Sequence, residues 1–248
     1  MCSAMQQLFP QPVDDVDPIL LYAADDRPAP ADRPWVMMNM IASADGGISL
    51  DGVSGGLGGP ADKAVFTAIR GVADVILVAS GTVLAENYRK PQTPAAVQEQ
   101  RTRQGKKPIP ELAIVTGSLS LPDDHRVFDG HRPIIVTHGA APADRRAALG
   151  DRAELLDAGA EAVDLAAALR LLRERGAQVV LLEGGPSLNG QMVQAGLVDE
   201  LCLSMSPMLI GGESSRIVRG RGDAVPTAMD LQRILHQDGL TFHRYTRR

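Results

Sequence analysis

The chain has 248 residues, of which 44% are hydrophobic and 22% are charged, close to the averages of soluble globular proteins. A net charge of −5 excludes a protein that holds nucleic acid through bulk positive charge. No apolar run approaches the roughly 20 residues of a membrane span, and the N-terminus lacks the basic stretch of a secretory signal. Cys2 and Cys202 alone cannot build a disulfide framework or a four-ligand zinc site. We therefore expect a cytoplasmic protein without nucleic-acid, membrane or metal partners.

The first 34 residues differ in composition from the rest of the chain. They contain six prolines and six aspartates, and prolines at this density disfavour helices and central strands. We predict an N-terminal extended arm over residues 1–34 and a single domain over residues 35–248.

Beyond residue 34, short apolar runs alternate with helical patterns. Strands are predicted at 35–41, 75–79, 112–115, 134–136, 153–156, 179–182, 198–208 and 240–245. Helices are predicted at 60–72, 83–87, 142–149 and 187–195, with another between Asp164 and Gly176, while 88–110 is predicted to be a polar loop. Strands that alternate with helices indicate an α/β fold, with a largely parallel sheet covered on both faces.

Two predicted strand-to-helix junctions consist of glycine and small hydroxyl residues. Ser80-Gly81-Thr82 follows one strand, and Glu183-Gly184-Gly185-Pro186-Ser187 follows another. A helix N-terminus offers free N–H groups and partial positive charge to a phosphate, and ligands favour the carboxyl ends of parallel strands. Together the junctions indicate a dinucleotide site divided between them. Each junction taken alone is better explained as an ordinary tight turn with a good N-cap.

A carboxylate follows the first predicted strand, in Ser43-Ala44-Asp45-Gly46. In that position Asp45 suits a ribose hydroxyl or the polar edge of a base. An Asp-Gly pair is also typical of a hairpin turn, and these residues alone leave both interpretations open.

Taken together, these segments resemble the reductase family of riboflavin biosynthesis, which includes the C-terminal half of bifunctional deaminase–reductases. The matching segments are Ser43–Gly46, 60–70, 74–78, Gly81–Glu86, Glu183–Leu188, 197–201 and 207–212. The resemblance covers residues 35–212 and implies a dihydrofolate-reductase-like fold, an α/β fold with a central, mostly parallel mixed sheet and helices on both faces.

The resemblance also implies an NADPH-dependent reductase. The positions that it assigns to the cofactor are Ala42, Gly81, Thr82, Glu86, Ser118, Gly184, Gly185, Pro186, Ser187 and Leu188. Ala42 would face the nicotinamide, and Gly184 to Leu188 would cradle the pyrophosphate. The resemblance leaves the choice between NADPH and NADH open. Arg89, Lys90 and the basic cluster at 101–107 are candidates for a 2′-phosphate, which is usually held by arginine or lysine.

The substrate implied by the resemblance is 5-amino-6-(5-phosphoribosylamino)uracil, a phosphoribosylamino-pyrimidinone that is reduced at C1 of the ribosyl group. Ser43, Asp45, Arg70 and Glu183 would contact it, with Asp45 and Glu183 in catalytic roles. Water or a carboxyl group would supply the proton. The alternative for Arg70 is a surface arginine at a helix end, and the alternative for Arg89 and Lys90, which could meet the substrate phosphate, is a solvated loop.

One segment is closer to dihydrofolate reductase itself. In Pro60-Ala61-Asp62-Lys63-Ala64-Val65-Phe66, a carboxylate follows a proline by two residues, and a phenylalanine lies four residues further on. The resemblance would make Asp62 the catalytic carboxylate of a pterin reductase and Phe66 a substrate contact. Alternatively, Asp62 only favours the helix dipole in the first turn. A third hypothesis is a non-catalytic NADP-binding protein that keeps the fold.

The family resemblance also implies a homodimer. The apolar strand predicted at 198–208 would be prone to aggregation if it lay uncovered at the edge of the sheet.

Overall fold

The structure is a computed structural model that describes residues 4–220 and 226–248. Over these residues the chain forms one ten-stranded sheet in the order β1-β9-β10-β8-β2-β7-β3-β4-β5-β6. The strands are β1 (Gln6–Phe9), β2 (Trp35–Ser43), β3 (Val75–Ala79), β4 (Glu111–Val115), β5 (Ile134–Thr137), β6 (Glu154–Asp157), β7 (Val179–Leu182), β8 (Glu200–Ser206), β9 (Met229–Gln237) and β10 (Leu240–Arg247).

Seven of these strands, from β8 to β6 along the sheet, are parallel. The remaining strands, β10, β9 and β1, are antiparallel to their neighbours. The predicted fold, a mostly parallel mixed sheet, is confirmed. Because the parallel strands run in one direction, their carboxyl ends lie along one edge of the sheet.

Helices cover both faces of the sheet. They are α1 (Pro18–Ala24), α2 (Pro60–Val72), α3 (Ser80–Ala85), α4 (Ala95–Arg103), α5 (Ala143–Gly150), α6 (Leu165–Glu174) and α7 (Pro186–Gln194). On one face, Val65 and Ile69 of α2 pack with Ile76 of β3 in one apolar core. On the other, Leu169 of α6 and Met192 of α7 pack in a second core. None of the described helices is long and apolar enough to cross a membrane.

The apolar patterns predict most elements well. The bounds of α2, β3 and β7 are those predicted, and Asp164 caps α6 by accepting a hydrogen bond from the N–H of Ala167 at 3.0 Å. The polar segment 88–110 is predicted to be a loop but contains α4. This helix forms because Val97 and Arg101 are buried against the C-terminal end of α2.

The described part of the arm is more regular than predicted. It contains α1, where Pro18 occupies the first turn and so costs no hydrogen bond, and β1, which pairs with β9 at the sheet edge. The arm is also joined to the body by charge, since Arg27 Nε donates to Glu200 Oε2 at 3.0 Å. The division of the chain into an arm and a domain stays a prediction.

The predicted strand at 198–208 does not form an edge of the sheet. The part that forms a strand is β8, which lies between β2 and β10. β10 pairs along it from Thr241 opposite Met205 to Thr246 opposite Glu200. The expected aggregation liability is therefore removed within the chain itself.

Candidate functional site

The two glycine-containing junctions are neighbours at the carboxyl edge of the sheet. Thr82 lies in the first turn of α3, which follows β3 directly, and its hydroxyl lies against Gly185, where an added Cβ would be 2.7 Å from Thr82 Oγ1. The N–H of Ala79 donates to the carbonyl of Gly184 at 2.7 Å. Gly184 has a φ of +86°, which only glycine adopts without strain, and its peptide bond to Gly185 is cis. The predicted adjacency of the two junctions is therefore present.

A second glycine lets another segment approach the start of α7. A Cβ at Gly190 would lie 2.1 Å from the carbonyl oxygen of Arg219, so only glycine fits there. The N–H of Arg219 donates to the carbonyl of Pro186 at 2.9 Å, and Asn189 Nδ2 donates to the carbonyl of Ile217 at 2.7 Å. The segment 217–220 thus packs against the N-terminal half of α7.

Three of the predicted site residues form a stripe along α2. Asp62, Phe66 and Arg70 are four residues apart, which places them on one face of the helix. The apolar residues of α2, such as Val65 and Ile69, are buried in the core. The stripe therefore faces the carboxyl edge while the rest of the helix anchors it.

Arg70 is paired with the glutamate of the second junction. Its Nε donates to Glu183 Oε1 and its Nη2 to Glu183 Oε2, both at 2.7 Å. The guanidinium carbon lies 4.2 Å from the centre of the Phe66 ring. Although burial alone would lower it, the Glu183 carboxylate raises the pKa of Arg70 above its ordinary value. The alternative of a solvated surface arginine is wrong.

Tyr88 completes this cluster and was not among the predicted site residues. Its hydroxyl donates to Glu183 Oε2 at 2.6 Å. Burial, together with the neighbouring Glu183 carboxylate, raises the pKa of the Tyr88 phenol well above its ordinary value, so the hydroxyl remains a donor. The only sequence signal was an aromatic residue in a polar segment, because its partner lies 95 positions away.

Asp45 forms a turn and links two loops. The Ser43 hydroxyl donates to Asp45 Oδ1, while the N–H groups of Ile210 and Gly211 donate to Oδ2 at 3.1 and 2.7 Å. The hydrogen bonds from Ser43 and Gly211 lower the pKa of Asp45, which keeps the carboxylate charged. The N–H of Gly46 closes a tight turn onto the carbonyl of Ser43 at 2.9 Å. Asp45 thus fixes the loop after β8 beside the loop after β2.

Asp62 has the opposite electrostatic character. Burial raises the pKa of its carboxyl group, and a hydrogen bond with Ser204 of β8 only partly offsets this. A Cβ at Gly58 would lie 2.6 Å from Asp62 Oδ2, so the glycine-rich loop passes close to the carboxyl group. Asp62 faces the sheet from the first turn of α2. A carboxylate that only interacted with the helix dipole would not need to be buried in this way.

The remaining predicted cofactor positions are more dispersed. Glu86 Oε1 accepts a hydrogen bond from the N–H of Ser54 at 2.8 Å, which ties the glycine-rich loop to the end of α3. Ser118 is exposed after β4, and its hydroxyl donates to Ser120 at 3.1 Å. Ser187 is exposed at the start of α7, whereas Leu188 and Ala42 are buried.

The predicted phosphate-binding cations fall into two groups. All four cations of the cluster at 101–107 have protein partners. Lys106, for example, pairs with Asp74 at 2.6 Å, and Arg101 is buried with its Nη1 on the carbonyl of Gly71 at 3.0 Å. Arg89 and Lys90 are exposed and, with Gln92, Arg126 and Asp129, line a hollow of about 240 Å³. Arg103 and Lys107 of the cluster are exposed as well, each beside a glutamate, so exposure alone does not distinguish the two groups.

The sequence matches the model of one protein family, described as the RibD C-terminal domain, over residues 34–239. A relative from Methanothermobacter thermautotrophicus, named 2,5-diamino-6-ribosylamino-4(3H)-pyrimidinone 5′-phosphate reductase, is 32% identical over 81% of this chain and 91% of its own length. A relative of the same name from Archaeoglobus fulgidus is 31% identical over 75% of this chain and 86% of its own.

Solved structures agree with this match. A pyrimidine reductase-like protein from Corynebacterium diphtheriae superposes with a TM-score of 0.81 and 26% identity, covering 94% of this chain and 99% of that one. RibD from Acinetobacter baumannii superposes with a TM-score of 0.71 over 88% of this chain and 59% of its own, and at 16% identity it supports the fold alone. The predicted resemblance and fold are confirmed.

Proposed function

Because this chain belongs to the RibD C-terminal domain family, we propose that it is an NADPH-dependent reductase of a ribosylaminopyrimidinone phosphate in riboflavin biosynthesis. The observation that carries the proposal is the meeting of the two junctions beside the Arg70–Glu183 pair. A turn suited to a dinucleotide and a charged pair suited to a polar substrate lie next to each other at the carboxyl edge.

The cofactor fits the turn between β7 and α7. Gly184 and Gly185 carry no side chains that would obstruct a pyrophosphate, and the nine-residue α7 begins directly after them with free N–H groups. Thr82 and Ser187 provide hydroxyl groups on either side of this turn. When bound, the reduced nicotinamide supplies the hydride, and the protein supplies position and charge.

The reaction requires a hydride at C1 of the ring-opened ribosyl group and a proton at the attached nitrogen. Of the three carboxyl groups assigned to catalysis, Asp45 has a lowered pKa and Glu183 is bound by Arg70 and Tyr88. Asp62 is the one whose pKa is raised by burial. We therefore assign the proton to the Asp62 carboxyl group, while Asp45 and Arg70 orient the substrate.

A pterin reductase is the second candidate function, and the surroundings of Asp62 favour it. A carboxyl group that faces the sheet from the first turn of a helix, with Phe66 one turn further along, has the arrangement that the resemblance to dihydrofolate reductase implies. In this function Asp62 would hold the amidine edge of the pterin and assist its protonation.

Absorbance measurements of NADPH oxidation separate these functions. The assay compares the diamino-pyrimidinone, 5-amino-6-(5-phosphoribosylamino)uracil and dihydrofolate, each with NADPH and with NADH. We expect turnover of a pyrimidine and a preference for NADPH. Turnover of dihydrofolate alone would establish the second function, and NADPH binding without any turnover would establish the non-catalytic hypothesis.

We also propose that the protein is a homodimer, as the family resemblance implies. Leu201, Leu203 and Met205 alternate along β8 with buried residues and are only half-buried in the single chain. A second copy would cover apolar side chains of this kind. Light scattering on a sizing column should give twice the chain mass of 26.3 kDa, and a particle of that single mass would contradict the proposal.

A further inference from the structure

Arg70 is held on three sides by its own protein. Glu183 accepts from Nε and Nη2, the Phe66 ring stacks at 4.2 Å, and the Tyr88 ring centre lies 5.9 Å from the guanidinium carbon. A guanidinium with this many partners has little conformational freedom left to lose when it binds a ligand. The cluster of Phe66, Arg70, Tyr88 and Glu183 is called the arginine clamp below.

One nitrogen of the Arg70 guanidinium, Nη1, takes no part in the ion pair with Glu183. Among the residues that the structure describes, Nη1 makes no hydrogen bond, and the side chain keeps 21% of its surface exposed. A guanidinium nitrogen carries two hydrogens and serves only as a donor. The clamp therefore presents one fixed donor group beside Glu183, which follows the carboxyl end of β7, and its complement is an oxygen acceptor.

The phenol of Tyr88 restricts the rotation of the Glu183 carboxylate in the arginine clamp. Glu183 Oε2 receives two donors, Arg70 Nη2 and the Tyr88 hydroxyl, so the carboxylate cannot turn without losing a hydrogen bond. Tyr88 and Thr82 belong to the same short segment of the chain, and Thr82 lies against Gly185. Residues 82–88 therefore hold both ends of the turn at 183–185, one end by packing and the other by the phenol.

We propose that Tyr88 is a positioning residue, whose hydroxyl fixes Glu183 so that Nη1 of Arg70 meets an oxygen acceptor of the substrate. This inference rests on the proposed function and extends it. The acceptor belongs either to the substrate phosphate or to a carbonyl of the base, since both present oxygen lone pairs to the same donor.

The first test is Tyr88→Phe, which keeps the ring beside Arg70 and removes only the hydroxyl. Because the hydroxyl acts on the substrate only through Glu183 and Arg70, its loss should raise the KM for the pyrimidine by about 3- to 10-fold, the size of an ordinary net hydrogen bond, with kcat and the Kd for NADPH within about twofold. Tyr245→Phe is the matched control, because that hydroxyl lies on β10, 3.3 Å from His243 Nδ1. Equal KM values for the two variants, or a fall in kcat at unchanged KM, would overturn the assignment.

The second test identifies the acceptor. Arg70→Met is assayed with the phosphorylated substrate and with its dephosphorylated form. If Nη1 binds the phosphate, the variant loses the preference of the wild type for the phosphorylated form. If it binds the base, both forms lose the same factor. Unchanged KM values for both forms would contradict the role of Nη1.

A third measurement does not depend on turnover. The Nε–H proton of a fixed arginine exchanges slowly with water, and its NMR signal is assigned by its loss in Arg70→Met. We expect exchange to become at least about threefold faster in Tyr88→Phe, as local opening becomes easier, and to stay unchanged in Tyr245→Phe. If the wild type turned over no pyrimidine, the proposed function would fail, and this signal alone would still decide whether Tyr88 holds the clamp.

Discussion

Two glutamates of this protein are buried against arginine. They differ in how exposed the side chain of the partner arginine remains. Glu200, at the start of β8, is fully buried and accepts from Arg27, Trp35 and Arg244 at 2.8 to 3.0 Å. Although burial alone would raise it, the two arginines hold the pKa of Glu200 below its ordinary value. Glu183 has a similar set of donors, but its partner Arg70 keeps an open nitrogen and partial exposure.

The difference separates a structural ion cluster from a site. Around Glu200, Arg233 and Arg244 also pair with Asp25 and join the arm to β8, β9 and β10, and the unpartnered Nε of Arg233 is buried where a ligand cannot reach it. Around Glu183, the partners restrict motion, and the donor of Arg70 that makes no hydrogen bond belongs to a partly exposed side chain. We therefore expect a functional residue where a rigid charge keeps an accessible hydrogen-bond donor, and not wherever a charge is buried.

The largest expected effect is on stability, from Glu200→Gln. Breaking a buried ionic cluster by removing one partner costs about 3–5 kcal/mol, because the remaining charges stay buried without compensation. Urea unfolding should show this loss, while the KM of the folded variant should match that of the wild type. A change below about 1 kcal/mol would mean that the cluster contributes no more than a surface ion pair.

Glu183→Gln should give the reverse pattern. The amide replaces an acceptor oxygen by a donor that conflicts with Arg70 and Tyr88, so Arg70 loses its fixed orientation. We expect kcat/KM for the pyrimidine to fall about 10- to 100-fold, with a stability loss smaller than that of Glu200→Gln. Steady-state kinetics and urea unfolding of both variants test the contrast, and equal stability losses would remove it.

A smaller effect should come from Gly185→Ala at the turn. The added Cβ would lie 2.7 Å from Thr82 Oγ1, so either the hydroxyl or the turn must move. We expect the Kd for NADPH to rise about tenfold, which corresponds to about 1.4 kcal/mol. Gly150→Ala is the control, since a Cβ there has nothing within 4 Å. Titration by fluorescence or calorimetry measures both, and equal affinities would contradict the predicted cofactor site.

The smallest effect on stability should be a change in its pH dependence from Asp62→Asn. Burial raises the pKa of Asp62 in the folded state above its value in the unfolded chain, so the wild type loses stability as the pH rises between these two values. The asparagine variant lacks this loss. Its stability relative to the wild type should therefore increase from about pH 4 to pH 7, and urea unfolding at both values should show this increase. A constant difference would mean that the carboxyl group is solvated.

The sequence predicted the parts of the site that depend on local pattern. The family resemblance singled out Asp62, Phe66 and Arg70, which the structure places on one face of α2, and the glycines at 184 and 185 marked the turn. It did not predict the Arg70–Glu183 ion pair from pattern, because the two residues are 113 positions apart. Tyr88 was missed for the same reason. The roles of these residues in binding stay predictions.

The elements that were missed depend on packing rather than on composition. The helix α4 is polar over most of its length and forms because Arg101 caps the end of α2, with its Nη1 on the carbonyl of Gly71. The strand β9 mixes polar and apolar residues, and its hydrogen bonds to β10 hold it in place. Neither of these stabilising contacts is visible in a window of neighbouring residues.

The position of β7 between β2 and β3 has a consequence for how the chain is made. A nascent chain that has emerged only as far as residue 178 contains β2 and β3, but the strand that joins them is still unsynthesised. Both strands then expose unpaired backbone edges, which invite pairing with other chains. The insertion of β7 closes these edges and carries Glu183 to Arg70 in the same step. We expect fragments that end before residue 179 to aggregate during translation, and the arginine clamp to form only once the central sheet is complete.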